Sequence, residues 1–421
     1  MKLNISKILL LSFLLLINSC VLEPAAEYRN RPNHIRTMFK NDPSTTVVIG
    51  WNRYHTKKSS SKIYWDTVDH GEDIEAYANE MEPQKYSNYF GIKSAFVELT
   101  DLEPQTRYYF IIKNSLGKSK RYFVETLPNN RDARISLIAG GDSRNNRTPR
   151  KAANTLVAKL KPHAVLFGGD MVNTGSPGEW HKWFNDWQRS HGEDGRVTPI
   201  IAARGNHEIS NKILKALFWL PNKNYYALSI ADGLIRTYVL NSEMSMGGNQ
   251  LTWLKKDLEE NQDIVWKMAQ YHRPMRPHVA KKSEGTNQYK YWAPLFYEHQ
   301  VKLVIESDSH TVKSTWPVRP STEEGSDQGF VRDDANGTTF VGEGCWGAPL
   351  RASNDTKEWT RDSGSFNQFK LIFVDQNKIE LRTIKVDNAD EVAEIDIENR
   401  FELPENLDVW NPSEGDVITI E

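Results

Sequence analysis

The sequence predicts two folded domains, an all-β sandwich followed by an α/β domain. Residues 30–127 contain short strand-like runs separated by turn clusters, with no convincing helix between them. Residues 133–386 instead alternate apolar strand-like runs with helical stretches. The length of 421 residues fits two or three domains of ordinary size. The remaining tail, residues 387–421, contains no recognisable chemistry, and we expect it to pack back onto these domains.

The composition excludes several classes of protein. The chain has 53 basic and 55 acidic side chains and a formal net charge of −2, so it lacks the basic excess that would coat a nucleic acid. A hydrophobic fraction of 38% beside a charged fraction of 26% is that of a folded protein rather than a disordered one. Two cysteines are too few for a disulfide scaffold.

The first twenty residues have the pattern of an export signal. Lys2 and Lys7 accompany an apolar run at residues 8–17, which is too short to span a bilayer and has the length of a secretory signal core. The run ends in the sequence INSC at residues 17–20, which resembles a bacterial lipobox; the alternative is an ordinary signal peptide with an incidental cysteine. We therefore expect residues 1–19 to be removed, residues 20–29 to form a linker, and Cys20 to carry lipid.

This pattern predicts an exported bacterial lipoprotein. It would lie at the outer membrane or the cell surface, with the periplasmic face as the alternative, and would contact the membrane through its lipid only. If Cys20 is lipidated, Cys345 has no second cysteine to pair with, so the mature chain would contain no internal disulfide.

The all-β domain is predicted from six strand-like runs. They are residues 34–40, 45–53, 62–68, 96–100, 107–114 and 120–126. Short strands at this spacing are typical of a sandwich. The sequence LTDLEPQTRYYF at residues 99–110 resembles fibronectin type III domains, in which a corner tyrosine, here Tyr108, ties its hydroxyl group back to the backbone. Residues 127–130 are the expected connection to the next domain.

The α/β domain places polar side chains just after its strand-like runs. Five buried runs are predicted, at residues 135–140, 164–167, 198–202, 265–269 and 301–305. Side chains that can bind a metal ion follow these runs in the same order: Asp142, Asp170, Asn206, His272 and His310. Ligands of open α/β sheets bind at the carboxyl ends of the strands. Each residue alone could be a helix cap or a packed histidine, but all five together predict a metal site.

Ordered sequence blocks surround these residues. They are Gly141-Asp142, Gly169-Asp170, the GNHE sequence at residues 205–208, His272 and His310. Together they resemble the calcineurin-like metallophosphoesterases, and the fibronectin-like domain in front narrows the resemblance to the purple acid phosphatase branch. Residues 250–254 and 342–350 also match that branch. The resemblance spans roughly residues 30–386 and implies that the α/β domain is a metallophosphoesterase sandwich.

The resemblance implies a hydrolase with two divalent metal ions, of Mn, Fe or Zn, with Mg or Ca as alternatives. The first ion would be bound by Asp142 and His310, the second by Asn206 and His272, and both by a bridging Asp170. A metal-activated hydroxide would then attack phosphorus. His207 would be the catalytic residue that stabilises the phosphoryl oxygens or protonates the leaving oxygen. Glu208 would orient a ligand or His207.

Two further predicted ligands, Asn173 and Asp308, depart from the family pattern. Asn173 stands where purple acid phosphatases carry the tyrosine that binds iron, so we expect a colourless protein. The Asn173 side chain would either offer a carbonyl oxygen to the metal or only cap the next turn. Asp308 replaces the first histidine of the last block and would either bind the second ion or lie solvated in a loop. A carboxylate ligand there shifts the preference from zinc toward harder ions.

Arg144 and His278 are the predicted substrate contacts. The Arg144 guanidinium could clamp a phosphate in a bidentate way, or could form only a surface ion pair. Arg273, Arg276 and His278 follow His272 closely and allow the same two interpretations.

The function that the sequence favours is an exported, lipid-anchored phosphohydrolase that cleaves phosphomonoesters. A phosphodiesterase with the same metal centre is one alternative, and a non-catalytic binding lipoprotein with a degenerate metallophosphoesterase domain is another. The expected substrate is a phosphate-ester small molecule or a phosphorylated glycan. The sequence carries no signal for an oligomeric state.

Overall fold

The computed structural model describes residues 31–53, 61–221 and 224–421. The predicted signal peptide, the linker and Cys20 lie outside the described residues. Within these ranges, no helix is both long enough and apolar enough to cross a membrane.

Nine strands of the described chain form the predicted all-β region. They are β1 (Asn33–Met38), β2 (Val47–Arg53), β3 (Lys62–Asp66), β4 (Asn79–Met81), β5 (Lys85–Tyr89), β6 (Ile92–Leu99), β7 (Arg107–Asn114), β8 (Gly117–Lys118) and β9 (Tyr122–Glu125). The sequence did not predict β4, β5 and β8, because these strands are short, only partly buried and lack an apolar face. The corner prediction is confirmed, since the Tyr108 hydroxyl accepts a hydrogen bond of 2.7 Å from the Glu103 backbone N–H.

The rest of the chain contains fifteen strands and five α-helices among the described residues. The strands are β10 (Ile135–Gly140), β11 (Ala164–Phe167), β12 (Ile200–Ala202), β13 (Tyr226–Ile230), β14 (Ile235–Val239), β15 (Trp266–Gln270), β16 (Val301–Glu306), β17 (Val312–Thr315), β18 (Val318–Pro320), β19 (Phe330–Arg332), β20 (Thr339–Gly342), β21 (Thr360–Gly364), β22 (Gln368–Val374), β23 (Ile379–Lys385) and β24 (Val417–Ile420). The helices are α1 (Arg147–Leu160), α2 (Pro177–Trp187), α3 (Asn211–Phe218), α4 (Asn249–Glu260) and α5 (Thr286–Glu298). The five predicted buried runs correspond to β10, β11, β12, β15 and β16.

Two large mixed sheets pack face to face. The first has the strand order β24-β23-β22-β10-β11-β12-β1-β2-β6-β5, and the second has the order β13-β14-β15-β16-β20-β17-β21. Along β16, Leu303 and Ile305 belong to the core between the sheets, whereas Val304 belongs to a second core that also includes residues of α4 and α5. Alternate side chains of a strand point to opposite faces. The strand is therefore buried on both faces from Leu303 to Ile305, where its sequence is apolar.

The two predicted domains share the first sheet. Strand β1 runs parallel to β12, with Met38 opposite Ile200. Beside this junction the Arg36 side chain is fully buried and donates a hydrogen bond of 2.6 Å to the Leu217 carbonyl. Its guanidinium also lies 4.6 Å from the centre of the Phe184 ring. The β hairpins are thereby fixed against the α/β region, a connection that the sequence did not predict.

The C-terminal tail returns to the first sheet. Strand β24 pairs antiparallel with β23, with Ile420 opposite Ile379. The tail thus adds an edge strand to the first sheet.

Candidate metal centre

The strands that carry the predicted ligands end at one place. Strands β10 and β11 are parallel neighbours, with Gly140 opposite Phe167, and β15 and β16 are parallel neighbours in the facing sheet, with Gln270 opposite Ile305. The loops after these strands are tied together by backbone hydrogen bonds, such as the 2.9 Å bond from the N–H of Ser307 to the carbonyl of His272. The predicted ligands therefore meet at the carboxyl edges of both sheets.

Asp142, Asp170 and His272 form a buried cluster. One ligand atom of each lies within 4.8 Å of the others, and all three side chains are essentially inaccessible to solvent. Two oxygens of the cluster, Oδ1 of Asp142 and Oδ2 of Asp170, are buried without a hydrogen-bond partner among the described residues. A buried carboxylate oxygen without a partner is costly unless a positive charge compensates it. This arrangement suits a divalent cation.

His272 lies close to Asp170, Asn206 and Asp308. Its Nε2 atom lies 3.3 Å from Oδ1 of Asp170, 3.2 Å from Oδ1 of Asn206 and 3.6 Å from Oδ1 of Asp308. Its Nδ1 atom lies 2.9 Å from the Gly168 carbonyl oxygen. Because Nδ1 donates to that carbonyl, Nε2 is the nitrogen that can bind a metal ion.

The charge of the cluster changes the pKa of His272. Burial alone would lower this pKa, but the negative charges of Asp170 and Asp142 outweigh burial and raise it well above its ordinary value. The imidazolium form of His272 is thus stabilised by the same carboxylates that would bind a cation. A bound cation would displace that proton.

His310 lies close to Asp142, away from the group around His272. Its Nε2 atom lies 3.1 Å from Oδ1 of Asp142, and its Nδ1 atom lies 2.9 Å from the carbonyl oxygen of Pro349. As with His272, a backbone carbonyl orients the ring and leaves Nε2 directed at a carboxylate. The structure therefore groups Asp142 with His310, and His272 with Asn206 and Asp308, while Asp170 lies between the two groups.

His207 and Glu208 lie beside Asp170. The backbone N–H of His207 donates to Oδ1 of Asp170 at 2.8 Å, and its Nε2 atom is 3.7 Å from Oδ2 of the same residue. The His207 Nδ1 atom contacts the backbone carbonyl of Asn173. The buried Glu208 carboxylate accepts hydrogen bonds from the backbone N–H groups of Gly205, Asp170 and Met171. Glu208 thus joins the two loops that carry Asp170 and Asn206.

Asp308 has a partner that the sequence did not indicate. Its Oδ2 atom lies 2.6 Å from the ammonium group of Lys282, and its backbone N–H donates to Oδ2 of Asp142 at 2.8 Å. Asp308 is therefore not a solvated loop residue, and its Oδ1 atom remains directed at His272. Lys282 lies in the loop before α5, and no motif or periodic pattern singles it out from the adjacent Lys281.

Asn173 and Arg144 lie at the edge of the cluster and contact each other. The Nε atom of Arg144 donates to Oδ1 of Asn173 at 3.2 Å, and its Nη2 atom donates to the same oxygen. Nη1 of Arg144 lies 3.4 Å from Nε2 of His310. The side-chain oxygen of Asn173 is thus engaged with Arg144, while Arg144 reaches the predicted ligand His310.

His278 is enclosed in the protein interior. Its Nε2 atom lies 2.7 Å from the Thr360 hydroxyl, and its ring packs against Trp359. Burial, followed by the charge of Lys313, lowers the pKa of His278 to about 2. A fully buried neutral ring has no surface to offer a substrate, so this position argues against the predicted substrate contact.

The backbone at the centre adopts conformations that L-residues seldom take. Four predicted ligands have positive φ angles, with values of 57° for Asp142, 51° for Asp170, 67° for Asp308 and 59° for His310. Such conformations cost energy and concentrate at functional sites. Gly205 provides the space they need, because a Cβ atom there would lie 2.2 Å from Oδ1 of Asp170.

Gly205→Ala should therefore impair metal binding. The added methyl group would displace the Asp170 carboxylate, which we expect to weaken Mn²⁺ binding at least about tenfold and to cost about 1–3 kcal/mol of stability. Isothermal titration with Mn²⁺ and urea unfolding measure the two effects. Gly178→Ala is the matched control, because a Cβ atom at Gly178 meets nothing within 4 Å. Equal Mn²⁺ affinity in both variants would contradict this role of Gly205.

Asp170 should give the metal-free protein a pH-dependent share of its stability. Burial alone would raise the pKa of Asp170, but His272 and then His207 lower it to about 2, below its ordinary value of 3.8. The carboxylate therefore stabilises the fold above about pH 4 and loses this effect as the pH falls through about 2, a contribution of about 2 kcal/mol.

In chelator-treated protein, Asp170→Asn should reduce the loss of unfolding free energy that occurs as the pH falls toward 2. We call this loss the acid limb. Urea unfolding between pH 6 and pH 2 measures the limb, and Asp101→Asn, a change at an exposed residue, is the control. An acid limb that is as steep in Asp170→Asn as in the wild type would show that Asp170 is not the group responsible.

Comparison with known proteins agrees with this geometry. Residues 141–312 match the family described as calcineurin-like phosphoesterase, and residues 32–126 match the family described as purple acid phosphatase, N-terminal domain. Purple acid phosphatase 1 of Ipomoea batatas is 22% identical over 312 residues, a match that covers 67% of this chain and 64% of the relative. An uncharacterised protein of Mycobacterium tuberculosis is 20% identical, over 68% of this chain and 62% of its own length. The chain thus matches slightly less than two thirds of each relative.

Solved structures share the fold. A purple acid phosphatase isolated from yellow lupin (Lupinus luteus) seeds superimposes with a TM-score of 0.70 at 14% identity, covering 93% of this chain and 74% of the lupin chain. The structure of PhoD superimposes with a TM-score of 0.63 at 11% identity, covering 86% and 88% of the two chains. Residues 141–312 thus form a calcineurin-like phosphoesterase domain, preceded at residues 32–126 by a purple acid phosphatase N-terminal domain.

Proposed function

We propose that the protein is a binuclear, metal-dependent phosphomonoesterase, exported and held at a membrane by lipid on Cys20. The observation that carries the enzymatic part is the pair of unpartnered buried oxygens on Asp142 and Asp170, in a cluster with His272. All donor atoms in the cluster are oxygen or imidazole nitrogen, a set that suits Mn, Fe or Zn, and the carboxylate of Asp308 in place of an imidazole favours the harder ions.

The proposed ligand set divides at Asp170. One oxygen of Asp170 faces His272 and the other has no hydrogen bond, so a single carboxylate can serve two cations. Cations bound there would polarise the phosphoryl oxygens and lower the pKa of a water molecule toward neutrality. The protein's own part is to fix the donor atoms, through the carbonyl groups of Gly168 and Pro349, before substrate arrives.

His207 is the proposed general acid. Its Nδ1 atom contacts the Asn173 carbonyl, which orients the ring and leaves Nε2 as the atom that can give a proton to the leaving oxygen. That Nε2 atom lies 3.7 Å from Oδ2 of Asp170, beside the predicted metal ligands. Unlike the buried Asp170 and His272, His207 is partly accessible to solvent, as a residue that meets substrate must be.

Arg144 is the proposed phosphate contact. Its guanidinium is partly exposed at the edge of the cluster and is fixed by Asn173 on one side. Lys282, also partly exposed, places a second cation beside Asp308. Two cationic side chains at the mouth of a site with buried carboxylates would attract a phosphate dianion once the carboxylates are neutralised by metal.

His207→Ala should retain the metals and lose most of the activity. We expect turnover of an aryl phosphate with Mn²⁺ to fall about 10²–10⁴-fold, as is usual when a general acid is removed. Elemental analysis checks that the metal content is unchanged, and His299→Ala, at the end of α5, serves as the control. Normal turnover in the His207 variant would overturn its assignment.

The same assay distinguishes the candidate activities. An aryl phosphate and the corresponding bis-ester, each with added Mn²⁺, separate a monoesterase from a diesterase. Hydrolysis of the bis-ester alone would replace the proposed activity by a phosphodiesterase. Hydrolysis of neither ester, with any of the proposed metals, would favour a non-catalytic binding protein.

Cys20→Ser should release the protein from the membrane. In bacterial cells that express the full chain, we expect the wild type in the membrane fraction with a mass increased by acyl chains, because lipid chains supply the anchor. Cys345→Ser is the matched control, since Cys345 is buried. A Cys20 variant that stays in the membrane fraction would contradict lipid anchoring. For an exported and anchored enzyme, the proposed substrate is an external phosphate ester, either a small molecule or a phosphorylated glycan.

A further inference from the structure

Exposed apolar side chains are concentrated around the metal centre. Seven large apolar residues are exposed on the described surface. Two of them, Ile209 and Leu350, directly follow Glu208 and Pro349 in the chain and are 61% and 41% exposed. A third, Phe90, is 75% exposed and follows Tyr89, whose hydroxyl contacts the loop before α2 at Gly175. Single exposed apolar residues are ordinary. Three at the edge of one polar, cation-lined site indicate a shared purpose.

Ile209 and Leu350 lie on the chain segments that position His207 and His310. Ile209 follows Glu208 in the chain, and a Cβ atom built on Gly175 would lie 3.3 Å from both Cγ1 of Ile209 and the carbonyl oxygen of His207. Leu350 lies between Pro349, whose carbonyl orients His310, and Arg351, whose N–H donates to the His310 carbonyl at 2.9 Å. Their side chains thus rise from the segments that hold His207 and His310.

Phe90 is brought to the same place by the N-terminal domain. It lies in the two-residue turn between β5 and β6, where Tyr89 pairs with Ile92. The Tyr89 hydroxyl donates a hydrogen bond of 3.2 Å to the carbonyl of Gly175, and the rings of Tyr89 and Phe90 meet edge to face at 4.8 Å. Because Gly175 also adjoins Ile209, the tip of this hairpin lies beside the loop that carries His207.

The backbone conformation of Phe90 is strained, which suggests that the residue is kept for a function. Its φ angle is 45° and that of Gly91 is 93°, so both turn residues are left-handed, a turn in which asparagine and glycine are preferred. A bulky residue with positive φ is a genuine outlier, and strain of this kind is retained at binding sites. Phe90 combines this strain with an aromatic ring that is mostly in water.

We propose that Phe90, Ile209 and Leu350 form an apolar rim that holds the leaving group of the substrate. The rim, defined by these three residues, selects phosphate esters of aromatic or other apolar alcohols over esters of small polar alcohols. The phosphate lies inward, among Arg144, Lys282 and the metal ligands, and the apolar group lies outward on the rim. This inference rests on the proposed phosphatase function and adds the class of its substrate.

Phe90→Asn tests the rim. Asparagine suits the left-handed turn, so the variant should unfold at the same or a higher temperature than the wild type. Its preference for 4-methylumbelliferyl phosphate over glycerol phosphate, taken as a ratio of kcat/KM values, should fall about fivefold to tenfold, as expected when about 40–60 Å² of apolar contact is lost. Comparing one ratio between variants cancels the different reactivities of the two esters. Leu116→Asn, an exposed residue in another hairpin of the same domain, is the matched control.

A binding measurement keeps the rim testable if neither ester is hydrolysed. Isothermal titration of the Mn²⁺-loaded protein should show phenylphosphonate binding at least about fivefold more tightly than methylphosphonate, and Phe90→Asn should remove most of this difference. An unchanged kcat/KM ratio, or equal affinities for the two phosphonates in the wild type, would overturn the rim. A change of oligomeric state in Phe90→Asn by sedimentation velocity would also overturn it, since Phe90 would then serve contact between copies of the chain.

Discussion

The centre of this molecule depends on two buried carboxylates that need positive charge. Asp142 and Asp170 lie just after the ends of adjacent parallel strands, and each has a buried oxygen that accepts no hydrogen bond from a described residue. Burying such groups is unfavourable unless a cation compensates them. In the structure His272 supplies part of that charge, and its pKa is raised for this reason. Two divalent cations would supply it fully, which explains why the surrounding donors are arranged around these two residues.

The surrounding backbone is shaped to bring these carboxylates together. Four of the predicted ligands adopt left-handed conformations, and Gly205 and Gly344 come so close to Asp170 and Asp142 that a side chain at either glycine would collide with a carboxylate. Glu208 then holds the two loops in place through three backbone N–H groups. Packing of the two sheets, which share one core, fixes the strand ends from which all these loops start. Local strain at the centre is thus supported by the fold as a whole.

The sequence predicted the parts of this arrangement that follow from burial. Strands such as β10 and β11 are apolar on both faces, so their bounds and the polar residues after them could be read from the chain. The pairing of β1 with β12 could not be predicted from the sequence. It joins Met38 and Ile200 across a long stretch of the chain and leaves no local pattern. Lys282 was missed for a related reason: its ion pair with Asp308 depends on where a loop folds back. The interior position of His278 likewise depends on tertiary packing around Trp359.

Elemental analysis of the protein, purified without chelator and then soaked in Mn²⁺, tests the central claim most directly. If Asp142 and Asp170 are compensated by two cations, the wild-type chain should retain about two divalent ions through gel filtration, since structural and catalytic ligands of this kind bind tightly. A metal content near zero that soaking cannot raise would contradict the account. The two carboxylates would then be compensated by His272 and the neighbouring cations alone, and the centre would have no means of catalysis by metal.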